Sequence, residues 1–236
     1  MPLVKKVYPR AYKIITVSLG VAEDLSTNGE INRSLITTIY NPIHLVKIKK
    51  KSQENINHPW VDSHNYPFIL GIGRLSYQKD FPTLLRAFKY VRRIRPARLI
   101  LLGEGRKRTE LESLAKDLNI FEDLWLPGFV ENPYAFMSKA SVFVLSSVTE
   151  GFPNVLLEAL ACGCPVVSTD CPSGPNEILQ SGSYGLLVPM GNSEALGKAI
   201  LSTLDHPPTV EYLQGRAAEF DLQKISRQYL DTLVGG

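Results

Sequence analysis

Apolar residues along this chain fall into short unbroken runs, separated by stretches in which they recur every three or four positions. FILGIG (68–73), RLILLG (98–103), LWLPG (124–128), SVFVLS (141–146), PVVST (165–169) and YGLLVP (184–189) are the runs. Continuous apolar character, not alternation, predicts strands buried on both faces. Between the first two runs, FPTLLRAFKYVRRI (81–94) puts Phe81, Leu84, Leu85, Phe88, Val91 and Ile94 on one helical face, with Arg and Lys opposite. RKRTELESLAKDLN (106–119), NVLLEALACG (154–163) and SEALGKAILSTL (193–204) repeat the pattern. Strand alternating with helix predicts an α/β fold, a Rossmann-like doubly wound parallel sheet with helices on both faces. Upstream, YKIITVS (12–18), a helical GVAEDLSTN (20–28) and LITTIY (35–40), stopped by Asn41-Pro42, read as the tail of one βα layer. Residues 47–66 have no sustained apolar period and read as a polar linker or hinge. Pro207-Pro208 breaks the chain before a last helix at 209–233. Four segments are therefore expected: 1–46, 47–66, 67–205 and 206–236.

Composition narrows this little. The 236 residues suffice for one large α/β domain with an extra segment, or for two small domains. A hydrophobic fraction of 44% and a charged fraction of 21% exclude disordered and fibrous classes. A net charge of +3 does not argue for nucleic acid, so any anion site must be local. Cys162, Cys164 and Cys171 are odd in number and read as reduced thiols of an intracellular protein. No His lies near Cys162 and Cys164, and Gly163 between them ends a helix, so they read as core residues rather than metal ligands. The N-terminus has no apolar signal region, and no run reaches the ~18–20 apolar residues of a membrane span. The chain reads as cytoplasmic. His44, His58, His64 and His206 read as ordinary surface residues, and the basic run Lys47 to Lys51 as a solvated linker, with contact to anionic lipid at the inner face of the membrane as the alternative.

The chemistry-bearing residues cluster where the predicted strands end, which is where open α/β sheets bind ligands. Gly71-Ile-Gly73-Arg74 leads through Gln78 to Lys79: the glycines admit close backbone approach, and both cations can meet a diphosphate from one loop. Alone this is a weak signal, since basic loops are common and usually solvated. Glu150-Gly151-Phe152-Pro153-Asn154 then ends a strand and opens a helix, whose first amides offer a phosphate site without side chains. Glu150 can accept sugar hydroxyls, and Glu158 inside the helix can take both hydroxyls of a ribose. Equally, Glu150 can be a capping acid and Glu158 a surface helix residue.

With these motifs assembled, residues 66–205 resemble the C-terminal donor-binding domain of glycosyltransferase family 4, retaining enzymes of the GT-B fold whose signature is two Glu separated by seven residues. Gly-Arg-Leu-Ser with Gln-Lys-Asp, Leu-Leu-Gly-Glu-Gly (101–105), Leu-Pro-Gly-Phe (126–129), and Glu-Gly-Phe-Pro-Asn through Glu158-Ala-Leu-Ala-Cys-Gly stand in that family's order. Thr16-Val-Ser18 and Asn41-Pro42 are more weakly similar to the closing strands of the family's N-terminal acceptor domain and its hinge. Residues 1–46 thus resemble a remnant of it. The resemblance implies that Arg74 and Lys79 bind the donor diphosphate and stabilise the leaving nucleotide. Glu150 would meet the donor sugar with the amides of Gly151 and Phe152, and Glu158 the ribose. Val130 would pair with the base through its backbone, Gly73 and Gly103 would border the pocket, and Asn154 and Val155 would lie at its helix start. It implies catalysis by Arg74, Lys79 and Glu150 through positioning and charge stabilisation, with no metal and no cofactor, the nucleotide sugar being substrate. No Asp-x-Asp stands at a strand end to hold a metal.

Cys171-Pro-Ser-Gly-Pro-Asn-Glu177-Ile-Leu resembles the corresponding turn in bacterial enzymes that build surface polysaccharides, with Glu177 read as a first-turn helix acid. The partners expected are a nucleotide sugar, by preference a uridine one, and a glycan or lipid-linked glycan bound through a missing N-terminal domain. A non-catalytic nucleotide-sugar-binding module is the alternative. A dinucleotide oxidoreductase is excluded, because Gly71-Ile-Gly-Arg-Leu-Ser lacks the third Gly and the helix directly after it.

Overall fold

The computed structural model of the chain describes residues 2–62 and 66–234. The chain opens with α1 (Pro2–Val7), β1 (Ile14–Thr16), α2 (Leu19–Thr27), β2 (Ile36–Thr38), α3 (Leu45–Ser52) and α4 (Pro59–Asp62). The main unit follows: β3 (Phe68–Ile72), α5 (Phe81–Arg92), β4 (Arg98–Leu102), α6 (Arg108–Asp117), β5 (Leu124–Gly128), α7 (Pro133–Met137), β6 (Val142–Leu145), α8 (Asn154–Ala161), β7 (Val166–Thr169), α9 (Pro175–Ile178), β8 (Leu186–Val188) and α10 (Ser193–Asp205). Helices α11 (Val210–Ala217) and α12 (Leu222–Val234) close the chain.

Strands β3 to β8 form one six-stranded parallel sheet in the order β5-β4-β3-β6-β7-β8. Side chains alternate between its faces with the strand period of two. Phe68, Leu70, Ile100, Phe143 and Leu145 join a core built with α7 and α8. Ile69, Leu99, Leu101, Val142 and Val144 join a second core built with α5 and α10. Burial on both faces is why these strands carry unbroken apolar runs. Helix α10 lies close on α5 because position 197 is glycine: a Cβ there would stand 2.8 Å from the Tyr90 ring and 3.1 Å from the Ala87 carbonyl oxygen. The decisive feature for function is the strand order. From β3 the chain winds outward to β4 and β5, then returns to place β6 on the other side of β3, which opens a crevice at the carboxyl ends of β3 and β6.

Strands β1 and β2 form a separate two-stranded parallel sheet in register Ile14↔Ile36, with Ala22 of α2 and Ile31 in its small core. The Thr16 and Thr38 hydroxyls meet across it at 3.0 Å.

Several expectations are corrected. Residues 45–52 form a helix rather than a polar linker: Ile48 is only 2% exposed, and Val61 and Trp60 also pack into the main core. One apolar residue per turn was enough to bury a helix whose other positions are mostly lysine. His58 is no ordinary surface residue, because its ring stacks on Trp125 at 3.6 Å; His64 lies outside the described residues. Helix α5 ends at Arg92, leaving Ile94 59% exposed. The expected final helix is two helices, broken where Ile43 pairs with the chain: its N–H donates to the Phe220 carbonyl at 2.9 Å and its carbonyl accepts from Leu222 N–H at 3.0 Å. Cys164 and Cys171 are buried, Cys162 is half-buried, and all three are free thiols. No helix among the described residues is long and apolar enough to cross a membrane.

Gly103 is where strand-end packing is tightest. It has φ +136°, and a Cβ there would lie 2.1 Å from the Gly73 carbonyl oxygen. Gly103→Ala should therefore lower stability by about 2–4 kcal/mol, a strain and overpacking cost, read as a lower urea midpoint. An unchanged midpoint would contradict this account of the strand ends.

Candidate functional site

The loops leaving β3 and β6 face each other across the crevice and are sewn together. Lys79 ends a 3-10 turn, Tyr77–Lys79, and Asp80 follows in the left-handed region (φ 41°) as the N-cap of α5, so the lysine leaves a fixed bend. Its Nζ donates to Glu150 Oε1 at 2.5 Å, and the Ser147 hydroxyl donates to the same oxygen at 2.6 Å. Val148 N–H donates to the Gln78 carbonyl at 2.9 Å, the Gln78 amide to the Thr149 carbonyl at 2.9 Å, and the Ser146 hydroxyl to the Lys79 carbonyl at 2.7 Å. The Lys79 and Glu150 side chains are 19% and 10% exposed. Removing either partner of so sheltered a pair strands the other. An ammonium has three donors, so Lys79 can hold Glu150 and still meet an anion. Arg74 on the same loop is exposed and bonds to no other described residue, which leaves its guanidinium open to a ligand.

Over the ends of β3, β4 and β5 lies a cavity of about 350 Å³, whose walls include Gly73, Arg74, Gly103, Glu104, Phe129 and Val130. Its volume falls in the range of small-molecule sites. The Gly103 N–H is tied to the Gly128 carbonyl at 2.8 Å, and Glu104 is drawn aside by Arg108 Nη1 at 2.7 Å. Phe129 stands 80% exposed at the mouth.

Glu158 lies in the second turn of α8, half-buried, and is not a wall of this cavity. Its Oε1 accepts from the Tyr134 hydroxyl at 3.0 Å. Burial raises its carboxyl above the usual range, against the opposing pull of the Tyr134 bond and the Lys47 charge. Burial first, and the Glu158 carboxylate second, push the Tyr134 phenol up to about 12. Pro133, the residue before Tyr134, does line the cavity, so Glu158 adjoins it through α7.

The start of α8 completes the arrangement. Gly151 and Asn154 are exposed, Val155 is half-buried and Phe152 is buried. The Phe152 ring stacks on Tyr40 at 5.1 Å, which leaves its backbone as the part able to meet a ligand. Asn154 Oδ1 accepts from Asn41 at 3.1 Å, tying the helix start to the segment before α3.

Of the sequence-predicted residues, Gly73, Arg74, Gly103 and Val130 share the cavity, while Lys79 and Glu150 share the ion pair. Glu158 stands on the next helix. Glu150 caps no helix, and Glu158 is half-buried against Tyr134 rather than an exposed helix residue. Among the described residues, no group of three His, Cys, Asp or Glu side chains is placed to hold a metal ion.

Sequence reasoning missed Tyr134 altogether and read Glu177 only as a first-turn acid of its own helix. Tyr134 sits in a five-residue helix with no motif of its own. Glu177 does occupy the first turn of α9, but its carboxylate serves another helix: it accepts from the first amides of α2, Leu19 N at 2.7 Å and Gly20 N at 3.1 Å. The two segments close because position 20 is glycine: a Cβ there would lie 2.7 Å from the Ser173 hydroxyl. Arg216, buried, holds this loop from behind through the Glu177 and Ile178 carbonyls at 2.7 and 2.8 Å. Between α2 and the Glu150 loop runs a groove of about 710 Å³.

A family model, glycosyl transferases group 1, matches residues 52–220. The chain belongs to this family. It is 38% identical over 237 residues to the N-acetylgalactosamine-N,N'-diacetylbacillosaminyl-diphospho-undecaprenol 4-alpha-N-acetylgalactosaminyltransferase of Campylobacter jejuni, covering 99% of this chain and 63% of that protein. It is 37% identical over 134 residues to the lipopolysaccharide core biosynthesis glycosyltransferase LpsE of Rhizobium meliloti, covering 57% of this chain and 38% of that one. The chain thus spans less than two thirds of the length of these relatives. In structure it is similar to a glycosyltransferase from Rickettsia africae (TM-score 0.85, 19% identity, 98% of this chain and 66% of that chain). It is also similar to Anabaena HepE in complex with UDP-glucose (TM-score 0.84, 23% identity, 100% and 67%). The fold is the Rossmann-like C-terminal half of a GT-B glycosyltransferase.

Two measurements check the site's supports. Glu177→Ala should speed amide hydrogen exchange at Leu19 and Gly20 and cost about 1–2 kcal/mol, as loss of a charged helix cap does; unaltered exchange there would contradict the contact. Tyr134 has a folded pKa above its ordinary 10.0, so the stability it contributes by holding its proton is complete below pH 10 and is lost as pH rises through about 12. Relative to Tyr134→Phe, wild-type stability should fall in that alkaline window, and a constant difference would contradict it.

Proposed function

We propose that this chain is the donor-binding part of a retaining family 4 glycosyltransferase. It takes a nucleotide-diphosphate sugar, by preference a uridine one, for metal-independent transfer to a glycan or lipid-linked glycan in bacterial surface polysaccharide synthesis. The observation that carries this reading is the pairing of Lys79 with Glu150 across the switch point, beside the open Arg74 and the strand-end cavity. A donor laid along the strand ends would put its base by Val130, its ribose by Glu158, its diphosphate against Arg74 and Lys79, and its sugar by Glu150. As the bond between sugar and phosphate breaks, positive charge grows on the sugar and negative charge on the leaving diphosphate. Arg74 and Lys79 meet the second, and the Glu150 carboxylate, with the Gly151 and Phe152 amides, orients the first.

The relatives support the pathway class. The Campylobacter jejuni relative is a diphospho-undecaprenol N-acetylgalactosaminyltransferase, and LpsE of Rhizobium meliloti is a lipopolysaccharide core biosynthesis glycosyltransferase. The separate β1–β2 sheet supports an adjoining α/β unit, because a two-stranded parallel sheet is marginal alone. Acceptor choice would reside there. The same feature suits the second reading, a nucleotide-sugar-binding subunit that needs a separate acceptor domain. Transfer assayed with and without a supplied acceptor domain separates the two.

Titrating the chain with UDP should show saturable binding that Lys79→Ala and Glu158→Ala each weaken about tenfold or more, the scale of a lost charge-assisted hydrogen bond. Circular dichroism must show both variants folded, and undiminished affinity in both would refute the pocket.

A further inference from the structure

Tyr134 falls outside every motif that pointed to the family, yet its hydroxyl fixes Glu158, the one carboxylate assigned to the ribose. Tyr134 Oη donates to Glu158 Oε1 at 3.0 Å, while Oε2 receives no hydrogen bond from another described residue. A carboxylate held by one oxygen presents the other in a set direction, and its flat end can then take a vicinal diol.

The phenol is itself anchored from several sides. Pro133 starts α7 with its backbone angle already helical, and Ala135, Phe136 and Met137 are buried behind it. Cys162 Sγ, at the C-cap of α8, donates to the Tyr134 carbonyl at 3.7 Å. Helix α7 is also clamped to α3 and the chain after it: Asn132 Nδ2 donates to the Lys51 carbonyl at 3.0 Å and to Glu54 Oε2 at 2.7 Å, and the Ser138 hydroxyl donates to the Ser52 carbonyl at 2.8 Å. The segment that reads as a linker is therefore the wall that keeps Tyr134 facing α8. Lys47 of α3 adds a positive charge near Glu158 and favours its ionised, hydroxyl-accepting form.

We infer that Tyr134 is a positioning residue for nucleotide recognition: its hydroxyl locks the Glu158 carboxylate so that Oε2 accepts from the ribose diol, selecting ribonucleoside over deoxyribonucleoside diphosphates. This rests on the donor-site reading above. A 2′-deoxyribose lacks one, and a 2′,3′-dideoxyribose both, of the hydroxyl donors that the locked carboxylate is set to receive, so the preference is lost when the lock is lost.

The test is calorimetric titration of the full chain and of Tyr134→Phe, which keeps the ring and its packing, with UDP and with 2′,3′-dideoxyuridine diphosphate. Wild type should prefer UDP. Tyr134→Phe should weaken UDP by about three- to tenfold, the range of one hydrogen bond, and leave the dideoxy compound unchanged. In Glu158→Gln the same tyrosine change should cost UDP nothing further, because a role acting through Glu158 is not additive with its loss. An equal loss for both ligands, no loss for UDP, or full additivity with Glu158→Gln would overturn the inference while leaving the pocket standing. A wild-type chain that bound UDP without preferring it over the dideoxy compound would do the same. A wild-type chain that bound neither would sink the donor-site reading and the inference with it.

Discussion

The 2.5 Å ion pair between Lys79 and Glu150 joins two strands that are neighbours in space but far apart along the chain. Parallel strands cannot be joined by a tight hairpin, so every connection in this sheet is a crossover; the chain leaves β3, builds β4 and β5 on one side, and crosses back to lay down β6 on the other. That detour leaves two loop ends with nothing between them at the carboxyl edge of the sheet. The pair fills the gap with charge, and the backbone bonds of Gln78, Val148 and Thr149 keep it from opening. The cavity beside it, the start of α8 and the position of Glu158 all follow from where that gap lies.

The N-terminal segment is bound to this arrangement rather than trailing from it. Glu177 caps α2, Tyr40 stacks on Phe152 one residue from Gly151, and Asn41 bonds Asn154 at the first turn of α8. The Phe152 and Asn154 contacts reach the segment that follows β6, and the Glu177 contact reaches the turn that follows β7. Any shift of α2 would be felt at the backbone around Glu150, through Glu177 and Ser173 on one side and through Tyr40 and Phe152 on the other. Under the function proposed above, these are the contacts through which an acceptor-binding unit would act on the Glu150 loop.

The main sheet was legible because its chemistry is repetitive. Strands such as FILGI and VFVL are buried on both faces and must be apolar throughout, and the amphipathic α5 shows its buried face in the order of its residues. The site loops were legible because Gly, Arg, Lys and Glu stand at strand ends at a recognisable spacing. What stayed hidden depends on partners distant in sequence. Helix α3 contributes mainly Ile48 to the core and otherwise shows lysines, so no local period betrays it. The break between α11 and α12 exists because Ile43, far upstream, bonds the chain there. Glu177 and Tyr134 look like an ordinary helix acid and an ordinary aromatic, and only the tertiary contact shows which amides the first serves and which carboxylate the second holds.

The most direct test of the account is a crystal structure of this chain with a bound uridine nucleotide sugar. The account predicts diphosphate oxygens within hydrogen-bonding distance of both Arg74 and Lys79, ribose hydroxyls on Glu158, and the base in the cavity beside Val130. A nucleotide bound elsewhere, such as in the groove between α2 and the Glu150 loop, with Arg74 and Lys79 untouched, would contradict it.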